Sequence, residues 1–295
     1  MTRSGEQRLM AWREIIYEYD GSFDGFLCCI YESYTQKERP TAILCDGDDE
    51  PGLFEIRAVL TDRAHAKRVY RSFFKISPDV GSFLRRVFLT CMDDKEMAMY
   101  RFIVKLYRDG APLLTRLSDE TYHPLLRAVR QLSGEAEALR GFIRFSELSG
   151  VLGAEIEPKN RILPMLRKHF CDRYHNESFF IYDRTHREAL LYANGVSRIV
   201  PLAQFEMAPP DEHEANYRRL WRRFYDTIAI RERENHKLRM THMPKRYWNT
   251  MTEFQKEDAF IPRSQGSVEA APAPCVPAAT PAPEKPTGCA PSAPA

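Results

Sequence analysis

The chain has 295 residues, 43% apolar and 28% charged, which is ordinary for a globular protein and enough to bury one large core or two small ones. Its formal net charge of +2 gives no whole-molecule signal for a polyanion, so any basic surface has to be local. The N-terminal MTRSGEQRLMAWREI has no apolar core of signal-peptide length, and no run of about 18 apolar residues occurs, so a soluble, cytoplasmic protein without membrane contact is expected.

Seven cysteines give an odd count with no framework spacing: Cys28 and Cys29 are adjacent, and Cys45, Cys91, Cys171, Cys275 and Cys289 stand apart. There is no C-x-x-C pair to suggest zinc or an iron–sulfur cluster, so reduced thiols, no metal and no cofactor are expected.

In chain order, residues 1–13 read as a flexible N-terminus. Ile15 to Tyr19 predicts a strand. Phe23, Phe26, Leu27, Ile30 and Tyr34 then recur at helical spacing, predicting a buried helix over 22–35. Thr41–Cys45 and Phe54–Leu60 read as two strands of a hairpin joined by the acidic loop DGDDEPG. Counted from Asp46, that loop has Pro51 where a calcium loop needs Gly and Arg57 where it needs Glu, so calcium is excluded. Helices are predicted over Asp62–Phe74, Asp79–Thr90 and Lys95–Tyr107, with a longer helical region from Asp119 to about Leu148 broken near Ser133-Gly134.

The stretch from Gly141 to Pro201 holds the densest run of polar residues. His169, Asp172, Arg173, His175, Asp183, His186 and Arg187 fall within nineteen positions. Val151–Ile156 predicts a strand, Asn160 a helix N-cap, and Ile162, Leu163, Leu166 and Phe170 a helix over 161–174. His169 and Arg173, four apart, share a face of it. Phe179–Tyr182 and Ala189–Tyr192 are β-rich, and Asn194-Gly195 predicts a type I′ turn into Val196–Val200.

Asp211 with Glu214 three later reads as a capping box opening a helix that Pro244 ends. Tyr217, Leu220, Trp221, Phe224 and Ile228 form its apolar stripe, and Arg218, Arg219, Arg222 and Arg223 sit beside it. Over 212–247 ten Lys/Arg face five Asp/Glu, a local excess fitting either a solvated helix with a core-facing stripe or a phosphate-facing surface. From 263 the Pro/Ala-rich sequence cannot bury enough apolar surface to order itself, which predicts a disordered tail or linker. The reading is therefore an α+β protein, predominantly helical, with small sheet and hairpin elements. Its globular part spans 14–262, either as one body or as two lobes, 14–115 and 116–262.

No glycine-rich phosphate loop, H-E-x-x-H or G-x-S-x-G appears. The motifs YDGSFDGFL, F-x-R-F, HF-x-x-R-Y, IYD-x-x-R, LW-x-x-F-Y-D-T-I-A-I and MPKRYW together resemble a bacterial family of unknown function whose members are labelled "probable DNA metabolism protein". The likeness runs from about Tyr17 to about Phe254. It rests on Tyr19, Asp20, Gly21, Phe23, Phe142, Arg144, Phe145, His169, Phe170, Arg173, Tyr174, Asp183, Arg187, Trp221, Arg233, Asn235, Pro244, Arg246, Tyr247 and Trp248, with Phe180 where Trp is expected. The resemblance implies a radical SAM protein of DNA modification or repair as partner, and fusion in some members to a uracil-DNA glycosylase-like domain. This chain has neither the radical SAM cysteine triplet nor a glycosylase motif.

Three functions follow as expectations. The first is an accessory protein of DNA metabolism, bound to DNA and acting with the radical SAM partner. Arg144, Arg173, Arg187, Arg218, Arg219, Arg222, Arg223, Arg233 and Arg246 would meet phosphate, and Tyr174, Tyr247 and Trp248 would stack on bases or dock the partner. The second is an enzyme using His169 and Asp183 on an anionic, nucleotide-like substrate. The third is a protein–protein adaptor.

Overall fold

A computed structural model describes residues 12–45, 54–230 and 234–255. The rest of the predicted flexible N-terminus, the acidic loop after Cys45, Arg233 and the predicted disordered tail from 263 lie outside the described residues. The fold is α+β and predominantly helical, with two small sheets.

The first sheet is wholly parallel, in the order β2-β1-β3. Strand β1 (Arg13–Tyr19) leads into helix α1 (Phe23–Gln36), whose start is fixed by Ser22 Oγ accepting from the amide of Gly25 at 2.9 Å. Strands β2 (Glu38–Cys45) and β3 (Ile56–Ala58) each bond β1, one on either side. The predicted hairpin is therefore wrong. Hairpin partners are antiparallel neighbours, whereas these two strands run parallel and are separated by β1.

Helices α2 (Arg63–Phe74), α3 (Val80–Phe88) and α4 (Lys95–Asp109) follow, as their spacing predicts. Helix α5 (Tyr122–Phe142) runs unbroken through Ser133-Gly134. The Ser133 hydroxyl donates to the Val129 carbonyl and accepts from Arg86, so this pair is held inside the helix. The helix stops six residues short of the expected Leu148, because Ser146–Leu148 forms strand β4 instead. Helix α5 spans two hydrophobic cores. Leu125 and Val129 belong to the first, with α1–α4 and the parallel sheet, and Leu132, Ala136 and Leu139 to the second.

The second sheet has the order β4-β5-β6-β7-β8. Strands β5 (Val151–Ile156) and β6 (Phe179–Asp183) are parallel, joined by helix α6 (Leu163–Arg173). Strands β7 (Glu188–Ala193) and β8 (Val196–Pro201) close an antiparallel hairpin at Asn194-Gly195, with φ of 51° and 78°. That is the positive-φ pair a type I′ turn requires.

Asn160 does not cap α6 as expected. It is buried, accepting from the Cys91 amide (2.9 Å) and donating to Glu135 (2.6 Å), so it ties the end of α3 to α5. Helix α7 (Glu212–Ile228) ends at Ala229, whose backbone is extended, well before Pro244. Helix α8 (His236–His242) follows, then 3-10 turns at Lys245–Thr250 and Thr252–Phe254.

Candidate functional site

Helix α7 starts on Asp211, whose side chain accepts from the Glu214 amide at 2.8 Å. Only half of the capping box forms. The Glu214 carboxylate turns away to accept from Arg218 Nε (2.9 Å) and from the Glu147 amide of β4 (3.2 Å), and Arg218 also donates to Ser146 Oγ at 2.7 Å. These bonds pin the first turns of α7 to β4. A second clamp lies further along: Arg144 Nη2 and Nε donate to the two oxygens of Glu253 (2.6 and 3.2 Å), and the Trp221 indole N–H donates to the same carboxylate at 3.1 Å. The Glu253 side chain is only 1% exposed. Burial opposes its ionisation, but the Arg144 fork, the backbone and the indole N–H outweigh that and hold its pKa below the ordinary value.

Held at these two points, α7 does not bury its apolar stripe as a core-facing helix would. Tyr217, Leu220, Trp221, Phe224 and Ile228 stay exposed, from 39% at Trp221 to 64% at Tyr217. Tyr217, Leu220, Trp221 and Phe224 form one wall of a cleft of about 870 Å³. The opposite wall comes from the end of α5 and the segment after it (Arg140, Ile143, Arg144, Phe145) and from the end of α6 (Phe170, Arg173, Tyr174). Phe145 packs edge-on against Phe170 and Tyr174, with ring centroids 5.5 and 5.0 Å away.

The cleft arginines differ sharply. Arg144 is committed to Glu253 and, through Nη1, to the Gly141 and Ile143 carbonyls. Arg140 pairs with Glu137 and reaches the Met165 carbonyl, and Arg218 pairs with Glu214. Arg173 is exposed and has no hydrogen bond or ion pair among the described residues. Its guanidinium lies 5.7 Å from the Tyr174 ring centroid.

The structure thus brings Arg144, Arg173, Tyr174 and Arg218 into one cleft and places the other predicted residues that it describes elsewhere. The four arginines of α7 do not present one free cationic surface. Arg218 is spent on the body of the protein, and Arg222 is half-buried. Arg219 and Arg223, four apart and exposed, look away from the apolar stripe, because about 100° of rotation per residue carries them round the helix.

His169 and Asp183 are not a pair. Asp183 is fully buried in a turn, accepting from the amides of Thr185 and His186 (both 3.0 Å) and from His186 Nδ1 (2.7 Å). His169 is half-buried, edge-on to Phe170. The register explains the separation. Asp183 pairs with Ile156, and α6 carries the chain from that end of the sheet back to Phe179, so His169 and Arg173 approach the far end. Arg187, exposed in the β6–β7 turn at φ 55°, lies at the Asp183 end as well.

Arg246, Tyr247 and Trp248 make contacts within the protein, and the Arg246 side chain stays 41% exposed. Arg246 pairs with Glu135 (3.3 Å) and contacts the Tyr247 hydroxyl. Tyr247 is buried against Phe142, so its ring has no face free for a base or a partner. Trp248 donates to the Met243 carbonyl and stacks on Phe254 at 4.4 Å. Glu253, Phe145 and the exposed wall of α7 are what sequence reasoning missed. The Glu253–Trp221 bond spans 32 positions and has no local signal.

Among the described residues no three His, Cys, Asp or Glu side chains converge as a metal site would require, and no helix is long and apolar enough to cross a membrane. No curated protein and no solved structure matches the chain. A family model described as "Domain of unknown function (DUF4130)" matches residues 93–253, just over half of the sequence and including every residue that lines the cleft, and the chain belongs to that family.

Proposed function

We propose that the chain is an accessory, nucleic-acid-binding protein of DNA metabolism, and that the cleft between α7 and the ends of α5 and α6 is its binding surface. The observation that carries the reading is Arg173, a cation with no anionic partner among the described residues, set against Tyr174 in a cleft with an exposed aromatic wall. Arginine beside aromatic rings is the pairing nucleic-acid grooves use, phosphate on the one and bases on the other. The resemblance of the sequence motifs adds the expectation of a radical SAM protein as the enzyme this chain serves. Arg144 and Arg218 shape the cleft rather than contact phosphate, since their donors are already engaged.

The test is a titration of labelled oligodeoxynucleotide at several salt concentrations with the parent and Arg173→Gln. Losing one phosphate contact should weaken binding and flatten the log–log salt slope by about 0.7 on a single strand. Parent and variant binding with one affinity and one slope would remove Arg173 from the site and the reading with it.

A second reading has its own support. Tyr217, Leu220, Trp221 and Phe224 stand at the i, i+3, i+4, i+7 spacing by which helices pack, so the same wall suits a partner's amphipathic segment. Copurification with the radical SAM protein, with and without nuclease treatment, separates an adaptor from a nucleic-acid-bridged association.

A further inference from the structure

Resting on that reading, we infer that the cleft takes an unpaired strand, with bases stacked on the wall of α7 and a phosphate held by Arg173, and that it does not take duplex. The composition of the wall points there. Three rings, Tyr217, Trp221 and Phe224, are 39–64% exposed on one face of a single helix and line one cleft. Trp221 and Phe224 lie with centroids 5.8 Å apart and planes tilted by 34°. The Arg144 guanidinium lies 5.4 Å from the Trp221 ring centroid, and at 39% and 53% exposure both residues keep surface open to solvent.

A π-face of this kind is useful only to a ligand that has a π-face to give. In a duplex each base has both faces stacked on its neighbours, and only groove edges and phosphates reach a protein. In a single strand the bases are free to splay onto aromatic side chains. The electrostatics agree. Duplex binding draws on many phosphate contacts at once, yet Arg140, Arg144 and Arg218 are each paired with a carboxylate, leaving Arg173 as the cleft arginine without an ion pair among the described residues. The cleft is thus weakly cationic and strongly aromatic, a balance in which stacking has to supply the affinity. Its volume of about 870 Å³ lies within the roughly 300–1,000 Å³ typical of pockets that enclose a small ligand.

The experiment compares three labelled probes of equal length on the full chain: an oligothymidylate, a blunt duplex, and an abasic deoxyribose-phosphate strand. It is run on the parent, Tyr217→Ala, Tyr217→Phe and Arg173→Gln. Tyr217 is well exposed and its hydroxyl makes no hydrogen bond among the described residues, so its truncation should spare the fold. The oligothymidylate should bind at least tenfold more tightly than the duplex. Removing the bases, or the Tyr217 ring, should weaken it by roughly five- to a hundredfold per stacked base, with Tyr217→Phe restoring the parent value. Duplex or abasic strand binding as tightly as oligothymidylate, with Arg173 still required, would overturn the inference while leaving a phosphate-binding cleft. A single-strand preference indifferent to Tyr217 would place the bases on another surface and also overturn it. If no probe binds, the nucleic-acid reading itself fails and the inference falls with it.

Discussion

Glu253 shows how far a single side chain can decide what a neighbouring arginine is for. Read from sequence, Arg144 is one of several cations that could meet phosphate. In the fold its fork already holds a carboxylate that is almost wholly removed from water, and Trp221 donates to the same group. Charge-assisted bonds of this kind contribute about 1.5–3 kcal/mol each. Glu253→Gln keeps the shape but removes the charge, and should lower unfolding stability by about 2 kcal/mol while loosening α7. The pH dependence has a definite sign. The folded carboxyl lies below its ordinary value near 4.5, so its contribution is present above that value and drains away as pH falls through it toward the folded value. Urea unfolding should show a loss of stability below about pH 5 in the parent that is smaller in Glu253→Gln. An identical acid limb in both would mean that the clamp contributes nothing.

Among the elements, α7 departs furthest from its sequence reading. Its stripe was legible, as were its start at Asp211 and its excess of arginine, but not what the stripe faces. An apolar stripe reports that a surface needs cover, and in α7 the cover is incomplete: Glu214, Arg218 and Trp221 anchor the helix by polar bonds while the rings stay exposed. The same helix explains why four neighbouring arginines are not one surface. Arg218→Gln should detach α7 from β4 and destabilise the protein by about 1–3 kcal/mol, because Glu214 would be left buried without its cation. The pair Arg219→Gln and Arg223→Gln should change stability by less than about 0.5 kcal/mol, as exposed substitutions do. Chemical denaturation of the two variants tests the split, and equal effects would contradict it. The hairpin at Asn194-Gly195 was legible because two residues dictate it. The arrangement of β2 and β3 was not, because which strand lies between them is a non-local choice that neither segment records.

At the scale of the whole molecule, most helices and four of the five strands of the second sheet follow from periodicity and turn chemistry, and the long α5 links two cores that a sequence reading could divide only loosely. The site was half legible. Arg173 and Tyr174 lie together on α6 and stayed together in space. His169 and Asp183, fourteen positions apart, were carried toward opposite ends of the sheet by one βαβ crossover. Tyr247 looked available only because its burial depends on Phe142, distant in sequence. What the fold adds is the cleft, where we propose that nucleic acid sits. Photo-crosslinking with an oligonucleotide carrying a halogenated uracil, followed by peptide mapping, tests it most directly. Crosslinks should concentrate on Tyr174, Tyr217 and Trp221 and disappear in the presence of unlabelled oligothymidylate. Crosslinks confined to the Arg219–Arg223 face of α7 or to the β6–β7 turn around Arg187, with none in the cleft, would contradict it.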